Sequence, residues 1–263
     1  MEWGLPLLKV LAGVALAVPL AFYFLQDRLV FQPQPVPESA RALIAGRAKS
    51  IFIEARDGTR LHAWHLEGWP LVLYFGGNAE EVSWMLPRVA RNAPGTGWLL
   101  VDYRGYGSSE GTPSQEALVK DAAQWYGVAR EKLGARKIVL FGRSLGTGVV
   151  VQLAAASEVD RVILVAPYDS LTSVARHHYP YLPVSWMLRH PFDSVGQAPA
   201  IAAPLLCLVA GHDEVIPIVH SKRLFEAWKG SKRWVELDGA GHNSTDDEPA
   251  FWQAIREFLV QPG

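Results

Sequence analysis

The chain has 263 residues, with 25 Lys+Arg against 26 Asp+Glu, a formal net charge of −1 and a single cysteine. This near-neutral balance, with no basic block, excludes the electrostatic footprint of a nucleic-acid binder, and one cysteine excludes a disulfide scaffold. The composition is 49% hydrophobic, which excludes disorder; at 19% charged, below the usual quarter or so, some stretch must be unusually apolar.

That stretch opens the chain. From Leu5 to Leu25, 17 of 21 residues are hydrophobic and only Lys9 is charged. As a helix, about 21 residues span roughly 30 Å, the hydrocarbon thickness of a bilayer. Residues 1–25 therefore read as a single-pass N-terminal membrane anchor, with a cleaved signal peptide as the alternative because Ala15-Leu-Ala17 resembles a cleavage site. The flanking charges assign no side of the membrane to the rest of the chain. Residues 26–49, with Pro33, Pro35 and Pro37 close together, read as an extended linker.

Residues 50–263 read as one α/β domain. Ser50–Arg56 and Thr59–Leu66 flank Asp57-Gly58, which predicts an antiparallel hairpin. Apolar strands at 71–75, 98–102, 137–141 and 161–165 then alternate with helices at about 79–92, 114–133 and 145–157. Strands apolar on both faces, each followed by a helix, predict a mostly parallel sheet covered on both sides. The alternation breaks from Tyr168 to Ala200, read as an inserted cap, and resumes with strands 205–210 and 233–237 and helices 217–228 and 246–260.

Gly142-Arg-Ser144-Leu-Gly146 matches G-x-S-x-G between a strand and a helix, the setting in which a sharp turn exposes a nucleophilic serine. A second match, around Ser109, is separated from its strand by five residues and from its helix by Thr112-Pro113, and reads as a turn serine. A serine alcohol needs a base and the base an orienting acid, in the chain order Ser, acid, His for this fold. Asp213 and His242 each follow a strand end, the edge where open α/β sheets bind ligands, and are the best pair. His212 is the rival base and Glu214 the rival acid, while Asp238 reads as a turn residue. Backbone donors for an oxyanion are expected from Leu145, after the nucleophile, and Asn78, in the loop after strand 71–75. No histidine shows a metal-ligand spacing, and no metal or cofactor is expected. Cys207, in an apolar run, reads as core.

The stretches Tyr74-Phe-Gly-Gly-Asn-Ala79, Asp102-Tyr-Arg-Gly-Tyr-Gly107, Gly142-Arg-Ser-Leu-Gly146, Ala166-Pro-Tyr-Asp-Ser170, Gly211-His-Asp213 and Gly241-His242-Asn243 together resemble the α/β-hydrolases of the membrane-anchored type that includes eukaryotic protein depalmitoylases and lysophospholipid lipases. The resemblance implies an α/β-hydrolase fold and a serine hydrolase with Ser144, Asp213 and His242 as its triad. Members of that group often carry His-Gly-Asn where this chain has Gly76-Gly77-Asn78, so any support from a histidine side chain is absent here.

The cap is rich in aromatic and apolar residues, among them Tyr168, Tyr179, Tyr181, Trp186 and Phe192, which favours acyl or lipid-like substrates; packing of the cap onto the sheet accounts for them equally well. The expected reaction is hydrolysis of an ester, thioester or lipid-acyl bond in a small ester, a lipid or an acylated protein. Peptide cleavage of the serine-aminopeptidase kind, acyl transfer on the same fold, and a non-catalytic membrane-bound binding protein are the alternatives.

Overall fold

The computed structural model describes residues 4–38, 46 and 48–260. One eight-stranded sheet runs in the order β1-β2-β4-β3-β5-β6-β7-β8. Its strands are β1 (Lys49–Glu54), β2 (Arg60–Leu66), β3 (Leu71–Phe75), β4 (Gly97–Val101), β5 (Ile138–Arg143), β6 (Arg161–Val165), β7 (Leu205–His212) and β8 (Lys232–Gly241). β2 pairs antiparallel with both β1 and β4, and all other neighbours are parallel. The hairpin and the parallel sheet expected from the sequence are both present.

Side-chain alternation sorts the parallel strands into two cores. Leu71, Leu73 and Phe75 face one way, against α3 (Gln115–Glu131), α4 (Leu145–Ala156) and α8 (Ile218–Ala227); Val72 and Tyr74 face the other, against α2 (Met85–Asn92) and α9 (Pro249–Val260). All five of these β3 residues are buried. A strand buried on both faces cannot show a period-two pattern, which is why it reads as a continuous apolar run. The chain leaves β3 toward β4 on one side, while β5 pairs on the other. The crevice at the C-terminal ends of β3 and β5 is therefore a topological switch point, where open α/β sheets bind ligands.

Three elements differ from the sequence reading. The helix expected from about 79 begins only at Met85, after a 3-10 turn at Val82–Trp84, because residues 76–81 form a loop whose backbone is held by side chains. β8 continues through Asp238 to Gly241, so Asp238 lies in a strand and not in a turn. The third difference concerns the N-terminus. Helix α1 covers Gly4–Val30 and so takes in the first five residues of the expected linker.

Among the described residues, no helix is long and apolar enough to cross a membrane, and the single-pass span expected over residues 1–25 is not found. Lys9 and Pro19 lie within α1, and its last turns carry Gln26, Asp27 and Arg28. Those turns pack against the cap. Gln26, only 5% exposed, donates to Met187 O at 3.0 Å and accepts from Arg189 N at 2.7 Å. Asp27 pairs with Arg189 at 2.8 Å and with His190 at 2.9 Å. The segment beyond α1 is also docked: Phe31 and Val36 are buried, and Gly107 N donates to Gln34 O.

The cap consists of α5 (Leu171–His178) and the single turns α6 (Val184–Met187) and α7 (Ser194–Gln197). Its aromatics divide: Tyr168 and Phe192 are buried in the core, whereas Tyr181 and Trp186 are 97% and 91% exposed. Cys207 is buried, and burial pushes its thiol well above the usual range, as its reading as a core residue requires.

Candidate active site

Ser144 stands between the end of β5 and the start of α4 with φ 48° and ψ −115°, a left-handed backbone that costs a non-glycine residue about 1–3 kcal/mol. The surrounding glycines make that turn possible. A Cβ on Gly142 would lie 2.6 Å from Gly146 O, and one on Gly146 would overlap Phe75 O. With only hydrogen at position 146, α4 starts hard against the end of β3. Ser144 N donates to Val165 O at 2.9 Å, which ties the turn to β6 as well.

Asp213 and His242 reach this point from β7 and β8. His242 Nε2 lies 3.0 Å from Ser144 Oγ, and His242 Nδ1 lies 2.8 Å from Asp213 Oδ2 and 3.0 Å from Oδ1. Asp213 Oδ1 also accepts Ile216 N at 2.7 Å and Val215 N at 2.9 Å. The Asp213 side chain is 1% exposed and that of His242 is 11% exposed. A carboxylate held in this way keeps the Nδ1 proton between itself and the ring, leaving Nε2 to accept from the serine hydroxyl. The two rivals stay apart: His212 and Glu214 are both exposed.

Leu145 is the first residue of α4, so its N–H belongs to the unpaired donors of a helix N-terminus. Asn78, in the loop after β3, lines the same space as Ser144. Its side-chain Oδ1 accepts from Gln32 N at 2.8 Å, Ala79 N at 3.0 Å and the Tyr106 hydroxyl at 3.0 Å. Burial pushes the Tyr106 hydroxyl up to about 12, so it stays protonated as a donor. The loop is clamped again by Glu80, which accepts Gly77 N at 2.6 Å and the Tyr74 hydroxyl, while the Tyr103 hydroxyl donates to Gly76 O at 2.9 Å. Glu80 and Gln32 belong to no motif, and Tyr106, although it lies in the Asp102–Gly107 stretch, shows no role there; each acts only once the fold brings β3, β4 and the chain after α1 together.

A second hydrogen-bonded Ser–His–Asp set lies elsewhere. Ser50 Oγ is 2.7 Å from His62 Nε2, and His62 Nδ1 is 2.7 Å from Asp102 Oδ2. Ser50 sits within β1, in register with Trp64 of β2, so no strand-to-helix turn presents it to a substrate. Here the pair pins a loop. Asp102 Oδ2 also accepts Ser108 N at 2.8 Å, and Ser109 Oγ bridges His62 N and Asp102 O. Ser109 is thus a buried turn serine, as expected. Ser50→Ala is expected to leave ester turnover within about twofold of wild type while lowering stability by about 1 kcal/mol, read by parallel kinetics and urea denaturation.

Two hollows meet at Ser144. One, of about 430 Å³, is bounded by α1, the cap and Leu145 and is predominantly apolar. The other, of about 750 Å³, is the more polar of the two; it is lined by His242 and Asn243, by the charged Glu80, Glu81, Arg88 and Arg143, and also by the apolar Trp84, Pro87 and Val215. Both volumes fall in the range typical of small-molecule sites.

Comparison with known proteins agrees with this architecture. Residues 70–194 match the alpha/beta hydrolase fold family. An uncharacterized protein of Mycobacterium tuberculosis is 36% identical over 98% of this chain and 95% of its own. The alpha/beta hydrolase domain-containing protein WAV2 of Arabidopsis thaliana is 29% identical over 95% of this chain and 91% of its own. Among solved structures, the Pyrococcus furiosus esterase Pf2001 superposes with a TM-score of 0.68 at 17% identity, covering 88% of this chain and 96% of that one. An eight-stranded sheet with an antiparallel start, a serine on a sharp turn after β5 and a family model matched over residues 70–194 lead to one assignment: the chain has the alpha/beta hydrolase fold.

Proposed function

We propose that the protein is a serine hydrolase that cleaves ester, thioester or lipid-acyl bonds through an acyl-Ser144 intermediate. The observation that carries this reading is the continuous hydrogen-bonded chain from Ser144 Oγ through His242 to Asp213, set at the sheet edge between an apolar hollow and a more polar one.

In the first half-reaction Ser144 Oγ bonds to the acyl carbon while its proton passes to His242 Nε2. The negative charge that builds on the carbonyl oxygen is met by the N–H groups of Leu145 and Asn78. The carbon–oxygen or carbon–sulfur bond then breaks, and His242 gives its proton to the departing alcohol or thiol. Water attacks the acyl-serine, surrenders a proton to His242, and the carboxylic acid leaves as Ser144 regains its hydrogen. Asp213 holds the imidazole tautomer throughout and gains no proton. The match to the alpha/beta hydrolase model and the likeness in fold to solved esterases support hydrolysis; the apolar lining beside Ser144 favours an acyl substrate over a charged peptide.

The test is reaction of the full chain with a fluorophosphonate probe, followed by peptide mapping. Label on Ser144, blocked by prior incubation with a turned-over ester, is the expected result. Label on Ser109 or Ser50, or no label on folded protein, overturns the proposal.

A further inference from the structure

Of the two hollows at Ser144, the chemistry assigns each a half of the substrate. A leaving group must collect its proton from the imidazole that received the serine's, so it departs on the side where His242 is exposed. His242 lines the more polar hollow and does not line the apolar one. The acyl chain therefore lies in the apolar hollow, and the alcohol or thiol half in the more polar hollow beside His242.

The apolar hollow is not built by the sheet and cap alone. The last turns of α1 supply Phe22, Gln26, Leu29 and Val30, facing Leu182 and Met187 of the cap across the cavity. These turns are fastened from two sides. On the cap side the Gln26 carboxamide brackets the backbone on either side of Leu188, donating to Met187 O and accepting from Arg189 N, and Phe22 meets the Tyr179 ring at 5.7 Å between centroids. On the catalytic side the residue two beyond α1, Gln32, donates its N–H to the Asn78 side chain at 2.8 Å. Gln26 is nearly buried, and a buried carboxamide satisfied by two backbone groups on another segment fixes a position; it does not tether loosely.

We infer that the C-terminal turns of the N-terminal helix are the acyl-selecting wall of this active site, with Gln26 the positioning residue that fixes the wall against the cap. The inference rests on the acyl-Ser144 reading for its substrate and on the cavity for its geometry. Leu29, half exposed at the edge of the wall, is the position where added bulk intrudes on the cavity without entering the core. Gln26→Leu keeps the side-chain size and leaves Met187 O and Arg189 N without partners.

Two measurements on the full chain test it. In the first, kcat/KM is determined for p-nitrophenyl acetate and p-nitrophenyl octanoate. Leu29→Trp is expected to lower the octanoate-to-acetate ratio at least tenfold, and Gln26→Leu to shift the same ratio by threefold or more; an unchanged ratio in both variants overturns the inference. In the second, decanoate binding is followed by thermal shift in the Ser144→Ala background, where no turnover is needed. Decanoate is expected to raise the melting temperature of that protein and to lose the effect when Leu29→Trp is added. Equal shifts with and without Leu29→Trp, or no shift in either, overturn the inference. Wild type that binds decanoate but neither hydrolyses an ester nor takes up the probe refutes the acyl-serine reaction and leaves the wall in place.

Discussion

Ser144→Ala is expected to reduce kcat/KM for p-nitrophenyl butyrate by about 10⁶-fold, the scale seen when a serine nucleophile is removed from an enzyme whose three groups act as a unit. The variant should fold. Alanine and serine bear the same Cβ, so the left-handed turn at φ 48° imposes similar strain on both, and the Ser144 N to Val165 O bond is a backbone bond that survives. What disappears is the attacking oxygen and one side-chain contact to His242 Nε2. Steady-state kinetics beside a circular-dichroism melt separate the two effects. A variant that retains a tenth of wild-type activity with an unchanged melt would remove Ser144 from the reaction.

Asp213→Asn should cost about 10⁴-fold in kcat, through the tautomer and not through the fold. The asparagine oxygen can still accept Val215 N and Ile216 N, which the aspartate Oδ1 accepts now, so the loop after β7 has no reason to move. Its amide nitrogen, however, offers hydrogen where the imidazole Nδ1 also carries hydrogen. The ring is then driven to the tautomer with hydrogen on Nε2, which cannot take the serine proton. Glu214→Gln is the matched control, because that side chain is exposed and outside the hydrogen-bonded chain; its kcat should stay within about threefold of wild type. Stopped-flow or long-time-course ester assays read both. Comparable losses in the two variants would mean that the acid has been misassigned.

The parts of this architecture legible in one dimension were those whose signal is local. Each buried parallel strand leaves an apolar run; the turn at Ser144 needs small residues at fixed offsets; and Asp213 and His242 announce themselves by following strands. Their meeting within hydrogen-bond reach follows from the parallel register of β5 to β8. Other features were hidden because their causes lie far apart in sequence. The pairing of Gln26 with residues 187 and 189 spans more than 160 positions, and the bond from Gln32 to Asn78 spans 46. Residues 5–25 read as a membrane anchor because apolar length is the whole of the signal there; the docking of the following turns depends on a cap that the helix cannot foresee. The Ser50–His62–Asp102 set is a reverse case: its geometry resembles a triad, while its sequence context, mid-strand and without a glycine elbow, correctly gives no sign of one.

The close fit of Gly146 against Phe75 O has a consequence for how the protein would fail. Because α4 begins directly on the end of β3, the spacing between the serine and the loop bearing Asn78 is dictated by neighbouring strands held at about 4.8 Å, a dimension that persists until the sheet itself melts. The wall of the apolar hollow depends instead on short helical turns and a few side-chain bonds, and regions of that kind open at lower free energy than central strands. On the proposed reading, rising temperature should then blur selection by chain length well before it silences the reaction, so that the warm protein becomes indiscriminate first and inactive only later.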